Sequence, residues 1–293
     1  MILILFLVPV FELAVPAQST EPSSTPSESN QQIATVADTG HEAELIETIK
    51  KGDLAEVLRL LDNGMSPDAT DSDRSPALCW AVRVNRADIV EALLARKAKV
   101  DQEENDGGTA LQVAAAAGRA DLVKLLIAHR ANVNQKDNGG HTSLMLAAFG
   151  VMFKNAPDWI TKELFDVDEE DRATLASMGD EHVEVVKLLL RSGADANAQA
   201  EDCGLTPLMI AAMGGNVELG RILLAAGAKV DTGSEESSAL KFAEMGESPE
   251  ELQKMLDDET DNESKQAMLS WLNLTRPGRR EFAAMLRKAG AKN

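Results

Sequence analysis

Apolar residues recur along this chain at a spacing that predicts pairs of short helices. In several segments a Leu is followed three residues later by an Ala, so that the two side chains share one helix face. These pairs are Leu78/Ala81, Leu111/Ala114, Leu144/Ala147, Leu208/Ala211 and Leu240/Ala243. After each pair comes a second apolar group, such as Ile89, Val90 and Leu93, which predicts a second amphipathic helix. A pair of helices is therefore the unit that repeats.

The residue after each second helix recurs at a nearly constant interval. It is Gly64, Lys97, Arg130, Gly193, Gly227 and Gly290. The steps are 33, 33, 63, 34 and 63 residues, which predicts a stack of six units with two insertions of about 30 residues. Glycine there supplies the left-handed conformation that ends a helix. We expect Lys97 and Arg130 to keep this turn at a cost of about 1 to 2 kcal/mol each.

Polar residues mark where the first helix of a unit begins. Thr109, Thr142 and Thr206 each precede an apolar pair, and a threonine hydroxyl there can accept a hydrogen bond from an unpaired N–H of the first helical turn. The first unit, residues 43–68, lacks such a threonine. We interpret that unit as the end cap that a repeat array requires.

The third and fifth units carry the pattern most fully. They contain Gly108-Thr109-Ala110-Leu111 and Gly204-Leu205-Thr206-Pro207-Leu208, each followed by alanines, a glycine and a Leu-Leu pair. This resembles the ankyrin repeat, D-x-x-G-x-T-P-L-H-x-A-A, over about residues 42–293. The resemblance implies an all-α solenoid of helix-turn-helix units with β-hairpin-like fingers. The family's histidine is replaced by Cys79, Gln112, Met145, Met209 and Lys241, so the array must replace or forgo its hydrogen bonding.

The two insertions, about residues 150–179 and 244–277, are predicted to be helical. Both interrupt the turn between the two helices of a unit, so we expect them to leave the same edge and to meet over the fifth unit, beside Gly214 and Gly215. Trp159 belongs to an apolar helical face, and Ser248 with Pro249 is typical of a helix start. Residues 268–272 form another apolar group. These side chains either pack onto the repeats or remain partly exposed for a partner.

The first 40 residues differ in composition from the rest. Residues 1–11 form an apolar run, and Val15, Pro16 and Ala17 are small residues before a predicted cut after Ala17, so residues 1–17 are predicted to be a signal peptide. An uncleaved anchor is the alternative, although the run is short for a bilayer span. Residues 18–40 are polar and predicted to be a disordered linker. We expect residues 41–293 to form the repeat domain of an exported protein, periplasmic or extracellular.

Charge limits the partners that the chain can have. The net charge is −19, whereas binding to nucleic acid needs clustered Lys and Arg. Nucleic acid is therefore excluded, and a protein with a basic surface is favoured. Aromatic residues make up 3 % of the chain, with no tyrosine, which suits thin layers of Ala, Leu and Val. We expect a monomer without stable membrane insertion.

No motif in the chain indicates catalysis or a cofactor. The four histidines lack the spacing of a metal-binding helix, and no nucleophile or phosphate-binding motif is present. Cys79 and Cys203 lie three units apart, roughly 30 Å, too far for a disulfide. The acidic insertions leave open a calcium-dependent or enzymatic module as an alternative, although Asp171 and Ser177 occupy positions where a calcium loop needs Gly and Glu.

We therefore expect a non-catalytic scaffold that binds a partner protein through its concave face and insertions. The alternative is a cytosolic scaffold whose start has been misassigned. The resemblance implies that partners contact the finger tips and the exposed ends of the first helices. The residues predicted to bind are Asp73, Arg83, Asp106, Asn138, His141, Phe149, Trp159, Leu205 and Met213.

Overall fold

A computed structural model of the chain describes residues 39–153, 181–232, 238–258 and 262–292. Within these ranges the backbone forms thirteen α-helices, and two isolated β-bridges take the place of strands. The all-α class predicted from the sequence is confirmed. In chain order the helices are α1 (Thr39–Lys50), α2 (Leu54–Asp62), α3 (Ala77–Arg83), α4 (Ala87–Ala95), α5 (Ala110–Ala116), α6 (Ala120–Ala128), α7 (Ser143–Phe153), α8 (181–191), α9 (Pro207–Met213), α10 (Val217–Ala225), α11 (Ala239–Ala243), α12 (Pro249–Asp258) and α13 (Asn262–Lys288).

The helices stack in two rows, as expected for a solenoid. In the first row α1, α3, α5, α7, α9 and α11 each contact the next. In the second row α2 contacts α4, α4 contacts α6, and α10 contacts α13. The loops before α3, α5, α7 and α9 are the second, third, fourth and fifth fingers. Isolated antiparallel bridges close the second finger, Thr70 with Pro76, and the fourth, Lys136 with Thr142.

The Leu/Ala pairs of the first row form the centre of the core. All ten side chains are at most 3 % exposed. The alanines let neighbouring first-row helices approach closely, while the leucines fill the space towards the second row. From the second row come Ile89, Val90 and Leu93 of α4 and Val185, Val186 and Leu189 of α8, all fully buried. The apolar pattern of the sequence therefore becomes one continuous core.

Polar side chains start the first-row helices largely as predicted. The hydroxyls of Thr142 and Thr206 accept hydrogen bonds from the N–H groups three residues later, at 3.4 and 3.3 Å. At Thr109 the side chain of Gln112 instead reaches back and accepts the backbone N–H of Thr109, at 2.9 Å. Ser238 caps α11 in the same way as the two threonines, at 3.2 Å. Each start thus satisfies a backbone N–H group that helical bonding leaves free.

The turn after each second-row helix is left-handed throughout the array. Gly193 and Gly227 have φ values of 91° and 90°, and Lys97 and Arg130 adopt 66° and 67°. The prediction that Lys97 and Arg130 keep this turn is confirmed. Both are residue types for which a positive φ is sterically unfavourable.

The first insertion, predicted at 150–179, lies largely outside the described residues. Helix α7 continues to Phe153, four residues beyond Phe149, so the start of the predicted insertion is part of a first-row helix. Val151 and Met152 are buried there. Trp159 and the acidic run that follows it lie outside the described part of the chain.

The second insertion is built differently from the prediction. Helix α12 begins at Pro249, as the Ser248-Pro249 pair predicted. Helix α13, however, runs without interruption from the insertion into the second-row helix of the sixth unit, with Pro277 in its interior. Trp271 and Leu272 are 4 % and 3 % exposed, so this part of the apolar group packs onto the repeats.

Helices α7 and α13 both approach the turn of the fifth unit. A Cβ atom on Gly214 would lie 2.7 Å from Cγ of Met152 in α7. A Cβ atom on Gly215 would lie 2.6 Å from the backbone nitrogen of Arg279 in α13. The two glycines therefore let helices from the fourth and sixth units pack against the fifth. The meeting of the two insertions over the fifth unit stays a prediction.

The N-terminal boundaries stay predictions. Residues 1–38 lie outside the described residues, and α1 begins at Thr39, two residues inside the predicted linker. Among the described helices, none combines the length and the apolar character that crossing a bilayer requires.

Candidate partner-binding surface

A carboxylate closes the turn of each of two fingers. In the fourth finger Asp137 Oδ1 accepts hydrogen bonds from the backbone N–H groups of Gly139 and His141, at 2.9 and 2.8 Å. The second finger has the same arrangement around Asp71. Because these bonds satisfy the N–H groups of the turn, they hold the finger tip in one conformation.

Hydrogen bonds also join neighbouring fingers at their tips. The backbone N–H of Asn138 donates to the carbonyl of Asp106 at 2.8 Å, and its side-chain amide donates to the carbonyl of Asn105 at 3.1 Å. The N–H of Glu201 donates to the carbonyl of Gly139 at 2.8 Å. The third, fourth and fifth tips consequently form one connected row.

The exposed tips are mostly acidic. Asp73, Asp106 and Asn138 are exposed in the second, third and fourth fingers, and Asp202 is exposed in the fifth. Arg74 adds one positive charge beside Asp73. The exposed tips of these four fingers therefore carry a net negative charge.

A buried ion pair lies below these tips. The guanidinium of Arg83 at the end of α3 donates to both carboxylate oxygens of Glu104 in the third finger, at 2.7 and 2.8 Å. The two side chains are only 9 % and 5 % exposed. Burial opposes the charged form, but the hydrogen bonds and charge of Glu104 outweigh it and raise the pKa of Arg83. The pair ties the third finger to the preceding unit.

Trp80 lies between the Arg83–Glu104 ion pair and Lys50 of the first unit. Its indole N–H donates to Asp71 Oδ2 at 2.7 Å. The ammonium of Lys50 lies 4.3 Å from the ring centroid, and the guanidinium of Arg83 lies 5.3 Å from it. Two cations therefore face a ring that is only 9 % exposed.

Gln112, at one of the positions where the family has histidine, links two neighbouring units by hydrogen bonds. Its side-chain N–H donates to the carbonyl of His141 at 2.8 Å, while its carbonyl oxygen accepts the N–H of Thr109. The side chain is fully buried. A glutamine thus links the first helix of the third unit to the finger of the fourth.

The fourth and fifth fingers bring together a cluster of titratable groups. His141 Nδ1 lies 3.1 Å from both oxygens of Asp137, and His141 Nε2 lies 3.7 Å from Asp202 Oδ1. Burial opposes protonation of the imidazole. The hydrogen bonds with Asp137 and Cys203 and the negative charges of Asp137 and Asp202 nevertheless raise the pKa of His141 to about 10. The ring is therefore held between two carboxylates and a thiol.

Two segments of the chain, residues 78–165 and 174–266, match the family described as ankyrin repeats in three copies. The chain belongs to the ankyrin-repeat family. A comparison with curated proteins finds no match. Ankyrin repeats are generally protein–protein interaction modules, and the family is typically non-enzymatic. The resemblance inferred from the sequence is confirmed.

Several residues predicted to lie on the ankyrin binding surface are buried. Phe149, Leu205 and Met213 are 2 %, 3 % and 4 % exposed, so the expectation that these side chains are exposed was wrong. Phe149 lies inside α7 rather than at its end, because α7 has 11 residues and α5 has 7. Leu205 packs into the core, and Met213 ends α9, which α13 contacts.

The other predicted residues have different surroundings. Arg83 is engaged in the buried pair with Glu104, so it is not a free cation. His141 is 8 % exposed and belongs to the cluster between fingers. Trp159 lies outside the described residues. Only Asp73, Asp106 and Asn138 among the predicted residues that the structure describes are at exposed tips.

The cluster between fingers was missed because its members are far apart in the sequence. His141 and Cys203 are separated by a long step of the repeat, whereas the ligands of a metal-binding helix lie four residues apart. Aligning the fingers with one another could have placed His141 beside Cys203, since these residues belong to adjacent units. Cys79 and Cys203 are both free thiols, as predicted.

Proposed function

We propose that this ankyrin array is a non-catalytic scaffold that binds a second protein bearing a basic surface. The exposure of the finger tips at Asp73, Asp106 and Asn138 is the observation that carries the proposal. Loops held by a rigid stack are favourable places for binding groups, because little conformational entropy is lost when they engage. The concave face beside the tips and the two insertions complete the proposed contact region.

The charge of the tips supports a cationic partner. The net charge of the chain, −19, makes the surrounding field negative, which speeds the encounter with a basic protein. Nucleic acid would be repelled by the same field. A monomeric array has both long faces free for such a partner, and we include the monomeric state in the proposal.

A charge-matched pair of variants tests where the partner binds. Asp73→Asn with Asp106→Asn removes two charges at the tips, and asparagine keeps the oxygen that closes the turn at position 106. Glu91→Gln with Glu218→Gln removes two charges from exposed positions on α4 and α10, in the second row. Both variants change the net charge equally, so a difference between them reports location alone.

A photoreactive side chain at position 138 would capture the partner in extracts of the native host. We expect one or a few basic proteins to be crosslinked, with capture falling about three- to tenfold in the tip variant at low salt. Capture should be unchanged in the variant of α4 and α10. Equal capture by both variants, or equal capture from a photoreactive group at Glu91, would contradict binding at the tips.

We also propose that the protein is exported to the periplasm or the extracellular space. The apolar run of residues 1–11 and the small residues before Gln18 support a cleaved signal peptide. N-terminal sequencing of the protein recovered from each cell fraction tests this. A mature chain that begins at Gln18 in the exported fraction is expected, and an intact chain in the cytosol would contradict it.

A further inference from the structure

Three potential metal ligands of different chemistry meet where the fourth finger contacts the fifth. The ligand atoms of His141, Asp202 and Cys203 all lie within 4.8 Å of one another. In tetrahedral zinc sites with bonds of about 2.0 to 2.3 Å, ligand atoms are separated by roughly 3.5 Å. Contraction by about 1 Å would therefore bring the three atoms around one ion. Asp202 is exposed and Cys203 is half-buried, so small movements are available to both.

The set of donors narrows the kind of ion. A thiolate sulfur, an imidazole nitrogen and a single carboxylate oxygen suit zinc and related transition metals, whereas calcium and magnesium prefer oxygen ligands alone. Three protein ligands leave one position of a tetrahedral ion open. Water or a side chain of a bound protein can occupy that position.

Asp137 holds the imidazole in the orientation that such a site needs. Its two oxygens lie 3.1 Å from His141 Nδ1, so the Nδ1–H donates to the carboxylate. Nε2 then faces Asp202, and an ion that binds there replaces the proton on Nε2 and the proton of the Cys203 thiol, both of which are released to solvent. Carboxylate–histidine–metal chains of this kind fix the ring and increase its basicity as a ligand.

The backbone brings the two fingers to this distance. The N–H groups of Glu201 and Asp202 both donate to the carbonyl of Gly139, at 2.8 and 3.2 Å. A Cβ atom on Gly139 would lie 2.6 Å from Cε1 of His141 and 3.2 Å from Oδ2 of Asp202. A side chain at position 139 would therefore separate the imidazole from the carboxylate.

We propose that His141, Asp202 and Cys203 form a binding site for zinc or a related divalent transition metal, which joins the fourth and fifth fingers. Asp137 is a positioning residue that acts through His141. The ion would join two units at the point where a long insertion interrupts the repeat period. The site requires no partner protein, so its test is independent of the proposed scaffold function.

The test uses the full chain, freed of metal by a chelator and kept reduced with a phosphine. Zinc titration by calorimetry should show one ion per chain. Cobalt(II) should give the near-ultraviolet charge-transfer absorption of a cobalt–thiolate bond. Zinc should also raise the melting temperature, because an ion that binds only the folded chain stabilises it.

Matched variants distinguish this site from other sources of metal binding. Cys203→Ser and His141→Gln should each weaken zinc binding at least tenfold, and Cys203→Ser should abolish the charge-transfer band. The controls are Cys79→Ala, which removes the other thiol, and His129→Gln, which removes an exposed histidine. Both controls should bind zinc as the unmodified chain does.

Asp137→Asn tests the positioning role. Asparagine keeps an oxygen for the backbone N–H groups of the finger but removes the charge opposite the imidazole. We expect zinc affinity to fall about 10- to 100-fold, while the cobalt–thiolate band is retained at saturation.

Three results would overturn the proposal. These are the absence of zinc binding to the unmodified chain, a cobalt spectrum without the thiolate band, and unchanged affinity in Cys203→Ser. Circular dichroism checks that each variant is folded. Should His141→Gln unfold, Asp202→Asn replaces it, because Asp202 is exposed, and unchanged affinity in that variant likewise overturns the site.

Discussion

Replacing Arg130 with glycine should make the protein more stable, although no contact is added. Arg130 follows α6 with a φ of 67°, and at the same place in other units Gly193 and Gly227 have φ values of 91° and 90°. The residue is exposed. Holding a non-glycine residue in the left-handed region costs about 1 to 2 kcal/mol, and glycine removes that cost.

The gain in the free energy of unfolding is reduced by the higher conformational entropy of the unfolded chain. Glycine gives the unfolded chain more conformational freedom, which offsets about 0.4 to 1 kcal/mol of the gain. A net stabilisation of about 0.7 kcal/mol remains for Arg130→Gly. Lys97→Gly relieves the same strain one unit earlier, at a φ of 66°. The double variant should therefore gain about 1.4 kcal/mol, which corresponds to a rise in Tm of about 4 °C.

Urea denaturation followed by both circular dichroism and tryptophan fluorescence measures the effect, since coincident curves establish a single transition. Arg130→Ala is the control, because alanine removes the long side chain but keeps the strained φ. Its free energy of unfolding should stay within about 0.5 kcal/mol of the unmodified chain. If Arg130→Gly is no more stable than Arg130→Ala, strain at this turn does not limit the stability of the array.

Three further predictions follow from described contacts. Glu104→Gln should lower the free energy of unfolding by about 3 kcal/mol, because it leaves the charge of Arg83 buried without its partner. The double variant Arg83→Met with Glu104→Leu should lower it by less, because no buried charge remains. Urea denaturation of both variants tests this. Gly227→Ala should lower the free energy of unfolding by about 1 kcal/mol, through its positive φ alone. Gly215→Ala should lower it by about 1 to 3 kcal/mol more, because the added Cβ would overlap the backbone of α13. Equal melting temperatures of the two variants would contradict that contact. His141 has a pKa of about 10 when folded against an ordinary value of 6.5, so its contribution to stability is complete below pH 6.5 and is lost as the pH rises through 10. With a chelator present, the free energy of unfolding between pH 7 and 10 should fall more steeply in the unmodified chain than in His141→Gln. If the two chains lose stability equally over this range, His141 does not form stabilising ion pairs with Asp137 and Asp202.

The repeating elements were predictable because each depends on nearby residues. A Leu/Ala pair sets a helix face, a threonine starts the helix, and a left-handed residue ends its partner. The same rules located the strained turns at Lys97 and Arg130, where the family resemblance alone would have placed glycine.

Features that depend on long-range packing were predicted less well. The break expected between the second insertion and the last second-row helix is absent, because the contacts of Trp271 and Arg279 hold α13 together across Pro277. Likewise, the burial of Phe149 follows from the length of α7, which no local signal in the sequence indicates. The exposure of the tip residues Asp73, Asp106 and Asn138 was therefore predictable, whereas the burial of Phe149, Leu205 and Met213 was not.

The cluster of His141, Asp202 and Cys203 also depends on long-range packing, and local sequence signals do not indicate it. Its geometry depends on how two fingers align across a 63-residue step, and on Gly139, whose lack of a side chain lets the groups meet. Composition and helical spacing do not contain that information.

The continuity of α13 changes what trimming this protein would do. This helix has 27 residues and is about 40 Å long. Its first half belongs to the predicted second insertion, and its second half belongs to the sixth repeat. Excising residues 262–276 would shorten a helix that also forms part of the last repeat. The apolar surface that this segment covers on the last units would then be exposed and would favour aggregation. A shortened form of this array should therefore retain the whole of α13.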